Sequence, residues 1–254
     1  PAPRADPDAR IARARVLAHA CRIGPDASER MSAIPMQRDA PDRWLWFAML
    51  VGLAYVASLA WHPFPLSYAL KAVPALTLCV LSAQRLHGRT RVLMVIAFIA
   101  AAGGDVFLDL DRTRYLPHGL GCFLVTQVAF TIAFLPWARF TPSRVPLVLA
   151  LVAGEATLLA FAWPNLGAMR VAVIVYLAAL LAMTVTALMV RESRWLGIGG
   201  LLFLVSDSLI GINRFIAPFP ASTAIIVSIY VASIVLIARG VFDMAGRRAA
   251  VGAR

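Results

Sequence analysis

The sequence predicts an all-α fold: a polytopic membrane bundle of eight transmembrane helices with both termini on the cytoplasmic side. Three observations carry this. Hydrophobic residues make up 61% of the 254, charged residues only 15%, and mean hydropathy is +0.78; a soluble domain would be about a quarter charged. The charges cluster between long, continuous apolar runs, whereas a membrane barrel would show alternating apolar and polar residues in short strands. The arginines are distributed very unequally between alternate connections, as cytoplasmic loops require.

Residues 1–43 carry eight arginines and few large apolar side chains, so a disordered basic tail is expected there. Its short Ile11–Ile23 piece is weakly amphipathic and reads as solvated. The numbering opens on Pro1, and Met31 and Met36 are candidate initiators, which would place part of the tail outside the native start. Eight spans follow in residues 44–241, each judged against the ~20 apolar residues that cross ~30 Å of hydrocarbon. They are Trp44–Trp61, Pro65–Ala83, Arg91–Leu110, Leu116–Trp137, Val145–Trp163, Met169–Val190, Trp195–Phe215 and Ala221–Val241. All six tryptophans fall near span ends, as an interfacial belt predicts. Residues 242–254 read as a basic C-terminal tail. Short connections imply antiparallel neighbours.

Arg112, Arg114, Arg170 and Arg214 fall on one side; every other arginine falls on the opposite side. The positive-inside rule makes that second side cytoplasmic and suits a bacterial inner (plasma) membrane. The net charge of +11 therefore records topology and not a nucleic-acid partner: no basic stripe with interleaved aromatics exists. Cys21, Cys79 and Cys122 lack C-x-x-C spacing, which argues against disulfides and zinc.

The functional signal is a set of polar side chains at one depth. Asp105 follows the run Val92–Ala102 within Gly103-Gly104-Asp105, and an ionisable residue there is a functional-site candidate. A rise of ~1.5 Å per helical residue puts Asp105, Asp207 and Lys71 all roughly 20 Å from the cytoplasmic end of their spans. Gln127, Glu155, Ser206 and Tyr230 fall near that level. Each also has a structural explanation: an Asp105–Lys71 pair locking two helices, Asp207, Gln127 and Ser206 as interhelical hydrogen-bonding groups, and Glu155 as a packing device. Asp109 lies one helical turn beyond Asp105 on the same face. It and Asn213, near the same ends of their spans, are candidate headgroup contacts.

The chain resembles the YhhN-like, or lysoplasmalogenase, family of eight-span membrane proteins over roughly residues 44–241. The motifs are Leu70-Lys71-Ala72-Val73-Pro74, Gly104-Asp105-Val106-Phe107-Leu108, Gly119-Leu120-Gly121-Cys122-Phe123 and Gly199-Gly200-Leu201-Leu202-Phe203-Leu204-Val205-Ser206-Asp207. The sequence departs from the family pattern at Gln127 and Phe130, where histidine and tyrosine are usual, and at Ser233, where glutamine is usual.

The resemblance implies hydrolysis of the vinyl-ether bond of lysoplasmalogens to a fatty aldehyde and a glycerophospho-base, with no metal or organic cofactor. Enol-ether hydrolysis needs an acid that protonates carbon, and a carboxylate that steadies the resulting cation or steers water. Asp105 and Asp207 would be that pair, either one serving as the acid. Lys71 would hold one of them ionised or bind phosphate, and Gln127, Ser206 and Tyr230 would position water. A lysophospholipid-like substrate would enter sideways from membrane lipid; the sequence carries no signal for an oligomer. Two other functions suit the same residues: an ion- or proton-coupled transporter using Asp105, Asp207 and Lys71, or a non-catalytic lipid-binding protein. No inverted repeat or paired broken helices favour transport.

Overall fold

A computed structural model describes residues 43–111 and 113–252; the expected tail, with Ile11–Ile23, lies outside the described residues. Eight long helices follow: α1 Arg43–Ser58, α2 Ser67–Arg85, α3 Gly88–Leu110, α4 Leu116–Phe134, α5 Val145–Ala162, α6 Arg170–Met189, α7 Arg194–Gly211 and α8 Ser222–Gly252. Short 3-10 turns extend α1 to Trp61 and α4 to Trp137. A π-helical turn, Ile212–Ile216, extends α7.

Among the described residues, seven helices are long and apolar enough to cross a membrane; α2 is the exception. It has 19 residues, enough to cross, but carries Lys71 and Pro74 and buries much of its surface. Ser67, Lys71 and Ser82 are buried against protein, so its composition need not match lipid. Pro74 has no N–H to give the Leu70 carbonyl.

Seven helices form a closed ring by contact: α1 packs on α2, α2 on α3, α3 on α4, α4 on α6, α6 on α7, α7 on α8, and α8 back on α1. Helix α5 stands outside, leaning on α6, α7 and the π turn. Only Glu155 and Ala162 of α5 are buried. Close approach within the ring depends on small residues. A Cβ on Gly104 would lie 2.7 Å from the Phe123 ring, and one on Gly199 would lie 2.9 Å from the Ser233 carbonyl oxygen.

The arginine-rich end is pinned by its arginines. Arg139 N–H donates to Met189 O at 2.8 Å, Arg191 Nε to Thr141 Oγ1 at 2.9 Å and Arg144 to Val190 O at 3.3 Å. The expected tail after Val241 is instead helical to Gly252. Arg247 donates to Glu192 O at 2.6 Å, and the Arg248 guanidinium lies 5.1 Å from the Trp137 ring centre. These contacts hold the basic stretch against the bundle. Trp137 is buried under that arginine, unlike the exposed Trp44, Trp46, Trp61 and Trp163.

Candidate active site

Two adjoining hollows lie in the half of the bundle nearer the α3–α4 connection. The inner one is small and is lined by Lys71, Asp105, Ser206, Asp207, Val227 and Tyr230 among others. The outer one is an apolar cleft between α5 and the ring. Its walls are mostly leucine, isoleucine, valine and phenylalanine from α3, α4, α5, α6, α7 and the π turn. Leu158, Leu159, Val173 and Ile212 in those walls are only half-buried, so the hollow is reachable from the surface between α5 and the ring. Leu108, Phe123, Asp207 and Ile210 line both hollows.

Asp207 thus sits at the junction, 7% exposed. Gln127 Nε2 donates to its Oδ2 at 3.1 Å, and the Tyr176 hydroxyl donates to the same oxygen at 2.5 Å. Two donors on one oxygen leave the other to face a reacting group or carry a proton. Asp105, 2% exposed, accepts a hydrogen bond from Tyr230 Oη at 2.9 Å on its Oδ2. Phe123 is edge-on to both Tyr230 and Phe203, with ring centres at 5.6 and 6.3 Å, which fixes the Tyr230 ring. Lys71 is buried in the inner hollow, its Nζ 6.0 Å from the Tyr55 ring centre.

The equal-depth residues therefore meet: Lys71, Asp105, Ser206, Asp207 and Tyr230 share one hollow, and Gln127 reaches it through Asp207. Ser206 also donates to Ile226 O at 3.1 Å, tying α7 to α8. Asp109 and Asn213 line neither hollow. Asp109 is enclosed: Tyr55 Oη and Ser67 Oγ donate to it, and His62 Nε2 lies 3.7 Å away. It joins α1, α2 and α3 beside the site. Asn213 Oδ1 accepts the Phe219 N–H at 3.2 Å and so braces the turn into α8.

The model of the YhhN family matches residues 66–241, the stretch that builds both hollows. The chain belongs to the YhhN family. It is 39% identical over 181 residues to the lysoplasmalogenases of Mycobacterium bovis and of Mycobacterium tuberculosis, covering 68% of this chain and 69% of each relative. It is 36% identical over 159 residues to lysoplasmalogenase TMEM86A of Bos taurus, covering 59% of this chain and 64% of that protein. No solved structure matches the chain.

Two departures of this YhhN-family chain acquire a physical reading. Gln127 stands where histidine is usual and still donates to Asp207, now from an amide that does not titrate. Ser233 is buried against α7, its hydroxyl donating to Tyr230 O at 2.6 Å, and lines neither hollow.

Tyr176 escaped the sequence reading. It lies six residues into α6 and is the only tyrosine of that helix. Glu155 was read as packing; it lines the outer hollow beside Ser208 and Asp207.

Proposed function

We propose that the two hollows are the active site of a membrane-embedded lysoplasmalogenase, cleaving the vinyl-ether bond of a lysoplasmalogen to a fatty aldehyde and a glycerophospho-base. The observation that carries this reading is Asp207. A buried carboxyl stands where an apolar, surface-reachable hollow meets a polar one containing a second carboxyl, Asp105, and a lysine. The names of the relatives point to the same chemistry.

The alkenyl chain lies in the outer hollow with its vinyl group at the junction. Asp207, protonated, gives its proton to the outer vinyl carbon, and the π electrons form the new C–H bond. The neighbouring carbon becomes an oxocarbenium ion. Asp105 sits with Lys71 in the inner hollow, where an ionised carboxylate steadies the cation at short range. Water adds to the cationic carbon, the hemiacetal collapses, and the C–O bond to the glycerol breaks. Positioned proton donors of this type contribute roughly 10²–10⁴-fold. Tyr230 orients Asp105, and Tyr176 and Gln127 orient Asp207.

The glycerophospho-base lies toward the mouth. Arg214 is in the π turn that lines the outer hollow, and Arg170 opens α6 at the same end, 4.8 Å from the Trp163 ring centre. Both are cations suited to a phosphate. The arginine distribution supports a mouth on the non-cytoplasmic face of a plasma membrane, with eight crossings and both termini in the cytoplasm.

Purified protein in liposomes, given a lysoplasmalogen in D₂O with an aldehyde-trapping reagent, is expected to release aldehyde with one deuterium on the carbon next to the carbonyl. Release of unlabelled aldehyde excludes carbon protonation, and no release at all excludes the hydrolase.

A further inference from the structure

Helix α5 faces away from the ring almost everywhere, yet its one carboxylate points inward. Glu155 is 4% exposed and lines the outer hollow together with Tyr176, Asp207 and Ser208. A buried carboxylate on the most peripheral helix is costly unless something uses it. Packing does not require it, since Ala162 is the only other buried residue of α5.

Its hydrogen bonding is incomplete in an informative way. Ser208 Oγ lies 2.5 Å from Glu155 Oε1, while Glu155 Oε2 is buried without a partner among the described residues. The same Ser208 Oγ lies 2.8 Å from the Leu204 carbonyl oxygen. A hydroxyl has one proton and two lone pairs, so it cannot donate to both oxygens at once. With Glu155 ionised, Ser208 donates to the carboxylate. With Glu155 protonated on Oε1, Ser208 accepts that proton's hydrogen bond and turns its own proton to Leu204. Ser208 therefore accommodates either protonation state without any heavy atom moving, which suits a carboxyl that gains and loses a proton in each turnover.

We propose that Glu155 is the general base that takes the proton from the attacking water. The assignment rests on the hydrolase reading above and deepens it by giving the hydration step its own residue. Asp207 sends its proton to the outer vinyl carbon and becomes carboxylate. Water oxygen bonds to the cationic carbon while one water proton passes to Glu155, giving a neutral hemiacetal and a protonated glutamic acid. Glu155 then returns this proton to the glycerol oxygen as the C–O bond breaks. The hemiacetal hydroxyl proton goes to Asp207. Both side chains regain their starting states, and the net reaction consumes one water. Asp105, tied to Tyr230 in the inner hollow, is left to stabilise charge.

The test compares wild type, E155Q, E155A and D207A in liposomes containing a lysoplasmalogen, with and without sodium formate, alongside thermal melting and lysolipid binding. The expected result is a fall in turnover of about 100-fold or more for E155Q, with melting and lysolipid affinity near wild type. Formate, a carboxylate small enough for the truncated site, is expected to restore part of the activity of E155A and none of that of D207A. E155Q turning over at the wild-type rate overturns the assignment. So does a loss in E155Q matched by lower melting and weaker binding, with no rescue of E155A, which marks a structural role. A wild type that releases no aldehyde removes the hydrolase reading itself, whereas an active wild type with an active E155Q removes Glu155 alone.

Discussion

Asp207 draws its character from two neutral donors. Tyr176 Oη and Gln127 Nε2 both reach its Oδ2, and neither neighbour adds a formal charge. Hydrogen bonds to a charged group are worth roughly 1.5–3 kcal/mol, so each donor sets how readily Asp207 gives and regains a proton. Tyr176→Phe keeps the ring and removes one donor. Its expected effect is a fall in turnover of about 10-fold or more, with melting changed little, measured as initial aldehyde release. An unaltered rate would mean that Tyr176 does not act on the reacting carboxyl. At this scale the site was partly readable in the sequence. Counting residues from helix ends located Lys71, Asp105, Gln127, Ser206, Asp207 and Tyr230, because polar groups in apolar runs are conspicuous. Tyr176 was passed over because tyrosine is common in apolar stretches. Asp109 was read as a headgroup contact because the sequence does not show that Tyr55, Ser67 and His62 enclose it.

Element boundaries followed the apolar runs closely except at the end of α8, which runs past Val241 to Gly252, since most helix ends coincide with the prolines, glycines and arginines that interrupt the runs. The π turn Ile212–Ile216 was not legible: Ile-Asn-Arg-Phe-Ile continues the helical pattern of α7 without any breaker. Its widened backbone places Ile212, Phe215 and Ile216 in the wall of the outer hollow, in keeping with the frequency of such turns at functional sites. Asn165 Nδ2, donating to Phe215 O at 2.7 Å, ties that turn to the end of α5. The adjoining wall is α5, with Leu158 and Leu159. Leu158→Trp is expected to shorten the hollow and lower kcat/KM for long alkenyl chains by about 10-fold or more while sparing short ones, read from a chain-length series. A uniform effect across the series would place the chain elsewhere.

The whole molecule combines a closed ring with one helix outside it, and this arrangement supplies the route from lipid. The ring encloses Asp105, and the apolar cleft between α5 and the ring reaches Asp207. Sequence showed the helices but not the ring order, because every helix is apolar on most faces and hydropathy cannot separate lipid from protein as the neighbour. Orientation is a separate expectation from the arginine distribution. With native cysteines replaced by serine, a membrane-impermeant maleimide added to intact cells is expected to label Asp111→Cys and leave Arg89→Cys unlabelled. The reverse pattern would invert the topology.

The central claim is that Asp105 and Asp207 act on one substrate from the two sides of a shared hollow. The most direct measurement is aldehyde release from a lysoplasmalogen by Asp207→Asn and by Asp105→Asn, each confirmed as folded by its melting and membrane yield. Both are expected to fall below about one-hundredth of the wild-type rate. A wild-type rate in either variant would contradict the account.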